Sequence, residues 1–482
     1  MDSGILKEFR AIVGSSGLLT EPEQLRTYEC DGLTNFRVIP SAVLLPDSTE
    51  QVQGVVRICH RESIPFVARG SGTGLSGGAL PVASGIVISL ARLNRILEVD
   101  YPNARVVVEP GVTNSSVTQR VASRGYFYAP DPSSQQVCSI GGNVAENSGG
   151  AHCLKYGFTT THVLGLEVVL PDGSLVHLGG RTLDKPGYDL AGVFVGSEGT
   201  LGIATKIILR IVKRPEVVQT LLAAFHSTNE AGAAVSGIIA AGMLPAAIEM
   251  MDNLAIQAAE AAVHPGYPDC GGLLLVELDG PAAEVELLMT QVNKICKDCG
   301  ASEIRLAQSE EERAAFWKGR KAAFAAVGRI SPNYIVQDGV IPRTALPKIL
   351  SEIERMSAAV GIRVANVFHA GDGNLHPLVL YDRAVPGQER AAEELANAIL
   401  ILCLEAGGSI TGEHGVGEEK KMMMAKMFAE PDLDTMQRVR CAFDPHRLSN
   451  PDKVFPTPRL CAERPGPYVP HPLEVAGVAE IF

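Results

Sequence analysis

A glycine-rich stretch at residues 67–80 limits what this chain can fold into more than any other segment. It reads Val-Ala-Arg-Gly-Ser-Gly-Thr-Gly-Leu-Ser-Gly-Gly-Ala-Leu. Glycine is unfavourable inside helices and strands, and it lets a ligand approach the backbone closely, so this stretch is expected to be a loop. Consecutive backbone N–H groups in such a loop form a concave anion site. Its hydroxyl groups and Arg69 add donors and positive charge, which is typical of a pyrophosphate-binding loop.

The residues after the loop distinguish between kinds of phosphate site. Gly72, Gly74 and Gly77 match the dinucleotide-binding spacing Gly-x-Gly-x-x-Gly, but that motif needs a helix to begin at the loop. Here Pro81 follows, and residues 85–90 predict a strand. A Walker A loop would end in Gly-Lys-Ser/Thr, which this stretch lacks. The remaining alternatives are another kind of pyrophosphate loop and a surface loop without a ligand.

Two more glycine-rich segments follow the first. Residues 130–150 read Pro-Asp-Pro-Ser-Ser-Gln-Gln-Val-Cys-Ser-Ile-Gly-Gly-Asn-Val-Ala-Glu-Asn-Ser-Gly-Gly, and residues 196–202 read Gly-Ser-Glu-Gly-Thr-Leu-Gly. Turn-forming residues and small hydrogen-bond donors alternate in the longer segment. One such segment can occur by chance as an irregular loop. Several within one domain favour a long ligand that is bound along its whole length.

These segments carry a resemblance to a known family. Residues 69–78 resemble the phosphate loop of the vanillyl-alcohol-oxidase type of FAD domain, and the other two segments are similar to further FAD segments of that family. The resemblance covers nearly the whole chain. It is strongest to the group formed by the FAD-linked D subunits of bacterial glycolate oxidases and the D-lactate and D-2-hydroxyglutarate dehydrogenases. In related proteins, covalent flavin attachment uses a histidine or cysteine near these loops. Residues 69–78 hold neither, and Cys138 at the second segment is the one candidate, so we expect FAD to be bound noncovalently.

The resemblance also implies which residues contact FAD. Because a carboxylate cannot bind phosphate, Glu198 is expected to support the ribose, the adenine or the loop itself. Residues 449–455 resemble the family's C-terminal Asn-Pro-Gly-Lys segment, although Asp452 replaces the glycine and leaves the backbone geometry open. The expected contacts are Arg69, Gly70, Ser71, Gly72, Thr73, Gly74, Ser76, Gly77, Pro130, Ser133, Ser139, Gly141, Gly142, Asn143, Ala145, Glu198, Gly199, Ile203 and Asn450.

Strands and helices alternate along the chain, which predicts an α+β fold. We expect an N-terminal helical segment at residues 1–35 and a two-part FAD-binding domain at residues 36–215. A substrate domain follows at residues 216–410, ferredoxin-like in the family, with helices on one side of its sheet. Residues 411–482 would form a C-terminal segment that closes on the flavin and completes the active site.

Two histidines flank a tight turn in the second half of the chain. His369 is expected to end one apolar strand and His376 to begin the next, so residues 371–374 could bring both imidazoles to one place. Imidazole is a common ligand of zinc and similar cations. Glu413 and His414 lie together in another glycine-rich segment. Spacing alone leaves a metal site and two ordinary structural histidines equally open.

The resemblance favours the metal site. It implies that His369, His376 and Glu413 bind a divalent cation, Zn or Mn, and that His414 is the general base. Arg320 matches the arginine that the family places on the substrate carboxylate; a solvated helix face is the alternative. In that chemistry the base removes the hydroxyl proton of a 2-hydroxy acid while hydride leaves its α-carbon for flavin N5. The apolar run at residues 377–380 favours a short acid, glycolate or D-lactate, over 2-hydroxyglutarate.

Composition excludes several other functions. The net charge is −12, and no basic stripe is present, so nucleic-acid binding is not expected. Residues 231–248 carry no charge but are rich in alanine and contain Pro245, which predicts an ordinary helix rather than a membrane span. The N-terminus lacks the pattern of a signal peptide. Ten scattered cysteines predict reduced thiols, and no second pair accompanies Cys296-x-x-Cys299 to bind an iron–sulfur cluster.

The sequence therefore predicts an FAD-dependent dehydrogenase of short 2-hydroxy acids in a multisubunit complex. A second FAD-domain subunit and an iron–sulfur subunit are the expected partners, with electrons passing onward to a quinone. The expected location is the cytoplasm, with any membrane association made through the partners. The alternatives are a standalone D-lactate dehydrogenase and a catalytically silent subunit that only carries FAD.

Overall fold

The computed structural model describes residues 1–183 and 187–456 of the 482-residue chain. The end of the expected C-terminal segment, residues 457–482, lies outside this part. The α-helices are Ser3–Val13, Pro22–Leu25, Thr49–Glu62, Asn114–Val121, Ile140–Glu146, Cys153–Tyr156, Thr159–His162, Leu190–Phe194, Thr228–Ala240, Asn253–Val263, Ala282–Asp298, Glu310–Val327, Leu346–Val360, Gln388–Glu405, Met424–Met427 and Glu430–Phe443.

A four-stranded sheet carries the first glycine-rich loop. Its strands lie in the order Leu18–Leu19, Ala42–Leu44, Ile86–Ser89 and Phe66–Arg69, and all neighbours except the first pair are parallel. The loop leaves the end of Phe66–Arg69 and the chain returns as Ile86–Ser89, so a strand follows the loop as predicted. The Thr49–Glu62 helix packs on this sheet and begins at Ser48, whose hydroxyl accepts the N–H of Gln51.

The N-terminal segment belongs to the same core. Phe9 and Val13 of the first helix are buried against the sheet, and Leu18–Leu19 pairs with it as an edge strand. The predicted boundary at residue 35 remains a prediction.

A five-stranded antiparallel sheet forms the second part of the FAD-binding region. Its strands lie in the order Ile96–Asp100, Arg105–Val108, Ile203–Arg210, Val163–Val169 and Leu175–Gly179. The last two strands form a hairpin, and Pro-Asp-Gly at residues 171–173 makes its turn. Part of the second glycine-rich segment, Ile140–Glu146, is a helix rather than an irregular loop. Ser139 caps it, and Ile140 and Val144 bury one apolar face, which outweighs the low helix propensity of its two glycines.

A nine-stranded antiparallel sheet forms the second half of the chain. Its main path runs Glu303–Leu306, Val217–Phe225, Gly272–Gly280, Ala247–Asp252, Val364–His369, Asn374–Leu375 and Gly339–Val340, with Pro377–Tyr381 and Asn333–Val336 attached beside Val364–His369. The expectation that helices cover one side was wrong. Alternate residues of the strands enter two separate cores, one under the helices Thr228–Ala240 and Ala282–Asp298 and one under Asn253–Val263 and Glu310–Val327. Both faces of the sheet are therefore buried.

Two smaller expectations concern the membrane and the cysteines. Within residues 1–183 and 187–456, no helix combines the length and hydropathy needed to cross a bilayer. The Thr228–Ala240 helix ends before Pro245, as predicted. Among the residues that the structure describes, eight cysteines are free thiols, but Cys441 is disulfide-bonded, so the prediction of reduced thiols does not hold for every cysteine.

Candidate active site

The three glycine-rich segments enclose one cavity of about 690 Å³. Most of the residues expected to contact FAD line it; the exceptions are Ser76, Gly77, Pro130 and Asn450. Glu413 and His414 line the same cavity, so one space joins the expected FAD site to the expected catalytic centre.

Close contacts explain why the first two segments need glycine. A Cβ at Gly70 would lie 2.1 Å from Ser139 Oγ, and a Cβ at Gly72 would lie 2.2 Å from Nη2 of Arg69. Ser139 Oγ accepts the N–H groups of Ser71 and Gly142, each at 3.3 Å, and so joins the two segments. The glycines thus allow two backbones and one arginine to form a single wall of the cavity.

Several residues predicted to contact FAD also hold the loops in place. The Glu198 carboxylate accepts the N–H groups of Val416 at 2.7 Å and Gly417 at 2.6 Å, so of the three expected roles the structure shows support of a loop. Asn450 Nδ2 donates to the carbonyls of Gly78 and Glu198. Ser76 likewise uses its carbonyl to accept the N–H groups of residues 418 and 419. These residues fix the cavity wall from behind.

The C-terminal Asn-Pro-Asp-Lys segment, residues 450–453, has a left-handed backbone conformation at its aspartate. Asp452, which stands where the family pattern has glycine, adopts φ +64°. Aspartate tolerates this left-handed conformation better than most residues because its short side chain can hydrogen-bond locally. The substitution therefore keeps a backbone conformation that glycine would adopt easily.

The predicted metal ligands converge. His369 ends the strand Val364–His369, His376 precedes the strand Pro377–Tyr381, and their imidazole rings lie 5.1 Å apart. Glu413 Oε1 lies 3.3 Å from Nε2 of His369 and 3.2 Å from Nε2 of His376. Nε2 of His414 lies 4.0 Å from the same oxygen, and its ring stacks on His376. Three imidazole nitrogens therefore face one carboxylate oxygen.

Charges around this cluster are strongly coupled. Burial opposes the charged form of Glu413, but His369 and His376 outweigh burial and hold the pKa of Glu413 well below its usual range. Burial also opposes protonation of His369, but Glu249 and Glu413 outweigh it and raise its pKa. Burial lowers the pKa of His414 to about 4, so its imidazole is neutral at pH 7. A neutral imidazole can accept a proton.

Arg320 lies behind this cluster rather than on the cavity wall. Its side chain is 2% exposed, and Nη2 lies 2.6 Å from Oε2 of Glu249. Glu249 also faces Nδ1 of His369 at 2.8 Å, because the two residues are opposite each other on neighbouring strands. The cavity is instead lined by the next residue, Lys321, and by Phe324. Contact between Arg320 and a substrate carboxylate remains a prediction.

Residues 377–380, whose apolar character favoured a short substrate, do not line the cavity. Leu378 and Leu380 point into one core of the large sheet and Val379 into the other. Their apolar character follows from the strand being buried on both faces, and it carries no information about the substrate.

Sequence reasoning missed two carboxylates that organise the site, Glu249 and Asp338. Glu249 lies between the apolar residues Ile248 and Met250 of the strand Ala247–Asp252 and is 1% exposed. A charged residue inside an apolar strand is a signal that could have identified it. Asp338 lies in a short connection between strands, where the sequence has no comparable signal.

A second charged network joins the FAD-binding region to the large sheet. His152 lies between Asp131, at 2.9 Å, and Glu277, at 3.0 Å. Glu277 also accepts hydrogen bonds from Arg313 and from Nε1 of Trp317. Burial works against protonation of His152, but these two carboxylates outweigh it and raise its pKa to about 10. The network holds the two halves of the chain together beside the cavity.

Comparisons with known proteins agree with this geometry. Residues 40–179 match the family described as FAD binding domain, and residues 214–454 match FAD linked oxidases, C-terminal domain. The chain is 50% identical to the glycolate oxidase subunit GlcD of Escherichia coli (strain K12), over 97% of this chain and 94% of that protein. Identity to GlcD of Bacillus subtilis (strain 168) is 39%, with 91% and 94% covered. Identity to the D-lactate dehydrogenase of Anaerostipes hadrus is 31%, with 86% and 89% covered.

Among solved structures, p-cresol methylhydroxylase with substrate bound is similar, with a TM-score of 0.77. The match covers 93% of this chain and 95% of that chain at 20% identity. At this identity the likeness concerns the fold alone. Together with the two family matches, it confirms the predicted α+β fold with an FAD-binding domain of the vanillyl-alcohol-oxidase type.

Proposed function

The chain belongs to the FAD-linked oxidase family that includes the bacterial glycolate oxidase D subunits, and on that basis we propose that it oxidises short 2-hydroxy acids to 2-oxo acids. Family membership confirms the prediction made from the glycine-rich segments, and with it FAD as the cofactor. Glycolate and D-lactate are the proposed substrates, because the relatives reported above are named for these acids. The observation that carries the proposal is that the FAD loops, Glu413 and His414 line one cavity, with His369 and His376 next to Glu413.

The residues of the cavity fit FAD. A Cβ at Gly70 would lie 2.1 Å from Ser139 Oγ, so the first two glycine-rich segments can meet only because Gly70 has no side chain, and Arg69 and Ser71 line the cavity there. Bound FAD would supply a two-electron acceptor.

The His369, His376 and Glu413 set fits a divalent cation. Two imidazole nitrogens lie within 3.3 Å of one carboxylate oxygen in a buried site, which is the donor set of many catalytic zinc sites. A cation held there would supply Lewis acidity toward a hydroxyl oxygen. Zn and Mn are both compatible with these donors.

His414 is the proposed general base. Its Nε2 faces the cluster and its ring is neutral at pH 7, so this nitrogen can take the hydroxyl proton of a 2-hydroxy acid. Stacking on His376 holds the ring in place. Phe324 packs against His376 on the other side and helps to exclude water from this end of the cavity.

Electron transfer to a partner extends the proposal. The relatives with the highest identity above are named as subunits, and no second close cysteine pair accompanies Cys296 and Cys299 in the sequence. We therefore propose an iron–sulfur subunit, together with a second FAD-domain subunit, as the partners. A standalone D-lactate dehydrogenase is the second candidate, supported by the 31% identical relative with that name.

The proposal is tested by anaerobic mixing of FAD-loaded protein with glycolate, D-lactate, L-lactate and D-2-hydroxyglutarate, with flavin absorbance as the readout. We expect bleaching by glycolate or D-lactate, its loss after chelation, and its return with Zn²⁺ or Mn²⁺. His376→Gln should abolish bleaching, and His226→Gln, an exposed histidine outside the site, should not. Bound FAD that no acid bleaches, even with added cation, would contradict the proposed function and favour the silent carrier.

A further inference from the structure

Asp338 is a buried carboxylate that the proposed chemistry does not use. It lies between the strands Asn333–Val336 and Gly339–Val340 of the large sheet and is fully buried. A buried carboxylate is costly unless donors surround it, so its partners indicate why it is there.

The partners of Asp338 are the backbone of the segment that carries Glu413 and His414. Its Oδ2 accepts the N–H groups of Gly412 at 2.9 Å, Glu413 at 3.2 Å and His414 at 2.9 Å, and also the hydroxyl of Thr411. Three consecutive N–H groups thus point at one oxygen. This arrangement fixes the backbone from which the proposed base and one proposed ligand project.

The other carboxylate oxygen faces a histidine. Oδ1 of Asp338 lies 3.8 Å from Nδ1 of His376. Nδ1 of His376 and Nδ1 of His414 are buried and have no hydrogen-bond partner among the described residues. Since both Nε2 atoms face Glu413 and the two rings stack nearly parallel, their Nδ1 atoms lie on the opposite edge, where Asp338 is.

The same atoms could be mistaken for a second cation site, because Asp338, His376 and His414 lie within ligand distance of one another. A carboxylate offers about four acceptor positions. Those of Oδ2 are filled by N–H and O–H donors, which a cation would have to displace. Asp338 therefore supports the backbone of the proposed ligands from behind rather than binding a cation itself.

We infer that Asp338 is a positioning residue: it holds the backbone of residues 411–414, and its other oxygen lies beside Nδ1 of His376, on the ring edge away from the proposed ligand atom Nε2. Glu249 faces Nδ1 of His369 in the same way, at 2.8 Å. Each proposed histidine ligand then has a carboxylate behind it, as is common for metal-binding histidines. The inference rests on the proposed function.

The test compares Asp338→Asn with Asp252→Asn. Asp252 is a matched control, because it is also a buried carboxylate of the large sheet that accepts backbone N–H groups, from Ala255 and Asn366, and it is not part of the cluster. The probe is Co²⁺ alone, added to FAD-loaded protein, with calorimetric affinity and the visible Co²⁺ spectrum as readouts.

We expect Asp338→Asn to retain FAD, to bind Co²⁺ about 10- to 100-fold more weakly and to change the Co²⁺ spectrum. Asp252→Asn should match the wild type in both readouts. Unchanged affinity and spectrum in Asp338→Asn, or an equal loss in Asp252→Asn, would overturn the inference. If Asp338→Asn does not fold, Thr411→Val removes one donor and keeps the charge; weaker Co²⁺ binding then supports the inference and unchanged binding overturns it.

The two proposals fail in different ways. Wild-type protein that binds Co²⁺ but is not reduced by any 2-hydroxy acid contradicts the proposed function and leaves the comparison of the Asp338 variant intact. Wild-type protein that glycolate reduces, together with an Asp338→Asn variant that binds Co²⁺ normally, overturns only the inference about Asp338. Wild-type protein that binds no Co²⁺ overturns that inference as well.

Discussion

Replacing Glu249 by glutamine should leave the buried positive charge of Arg320 without its ion-pair partner. Glu249 is 1% exposed, and its carboxylate lies 2.6 Å from Arg320 and 2.8 Å from Nδ1 of His369. Glutamine keeps the volume but removes the charge, while the Arg320 guanidinium stays buried. Breaking a buried ion pair on one side typically costs about 3–5 kcal/mol. We expect Glu249→Gln to lower the free energy of unfolding by that amount.

Urea unfolding measures this loss, with the fluorescence of Trp317 as the probe. Trp317 is the only tryptophan of the chain and lies one turn before Arg320 on the Glu310–Val327 helix, so its emission reports on this domain. The double variant Glu249→Gln/Arg320→Met removes the stranded charge and should recover much of the loss. Glu98→Gln breaks an exposed ion pair with Arg181 and should cost less than about 1 kcal/mol.

Two results would refute this reasoning. The first is a loss of less than about 1 kcal/mol for Glu249→Gln, because a buried charge would then be tolerated without its partner. The second is a double variant as unstable as the single one, because the loss would then come from packing around Glu249 rather than from the charge left on Arg320.

Three further predictions concern the loops, the cavity mouth and the domain contact. Gly70→Ala should lose FAD during purification, because its Cβ would lie 2.1 Å from a hydroxyl oxygen. Gly180→Ala, whose Cβ would have no atom within 4 Å, should retain FAD, and the flavin absorbance per protein measures the difference. Lys321→Gln should lower kcat/KM for glycolate several-fold, most at low salt, because this lysine lines the cavity and attracts an anion. Lys318→Gln on the same helix should leave kcat/KM unchanged, and equal effects of the two changes would contradict the prediction. His152 has its pKa raised to about 10 in the folded protein, so its contribution to stability is complete below its unfolded pKa of about 6.5 and is lost as pH rises through 10. Urea unfolding at pH 7 and pH 10 should therefore show a larger loss for the wild type than for His152→Gln, and parallel losses would refute the assignment.

Local patterns predicted the parts of the site that lie close together in sequence. His369 and His376 are separated by one tight turn, so strand and turn signals were enough to bring them together. The same holds for the loop at Gly70, where a strand leads in and a strand leads out. Partners far apart in the chain were not predictable in this way. Glu249 meets His369 only through strand pairing, and no local pattern encodes which strands pair.

The orientation of Arg320 shows a different limit. Its motif placed it correctly on a helix near the site, but a helix turns 100° per residue, so the choice between Arg320 and Lys321 for the cavity wall depends on how the helix packs. The same is true of the large sheet. Its strands read as apolar runs, and whether helices cover one face or both is decided by the arrangement of helices that come later in the chain.

The loop that carries Glu413 and His414 depends on both halves of the chain. Asp338, from the large sheet, accepts the N–H groups of residues 412–414, and Glu198, from the FAD-binding region, accepts those of residues 416 and 417. Gly415 lies between the two carboxylates with φ +87°, and a Cβ there would lie 2.9 Å from Glu198. The loop can therefore hold the proposed ligand Glu413 and the proposed base His414 in place only when the two halves are docked. Because the FAD loops and the proposed cation ligands belong to different halves, the proposed chemistry requires this docking.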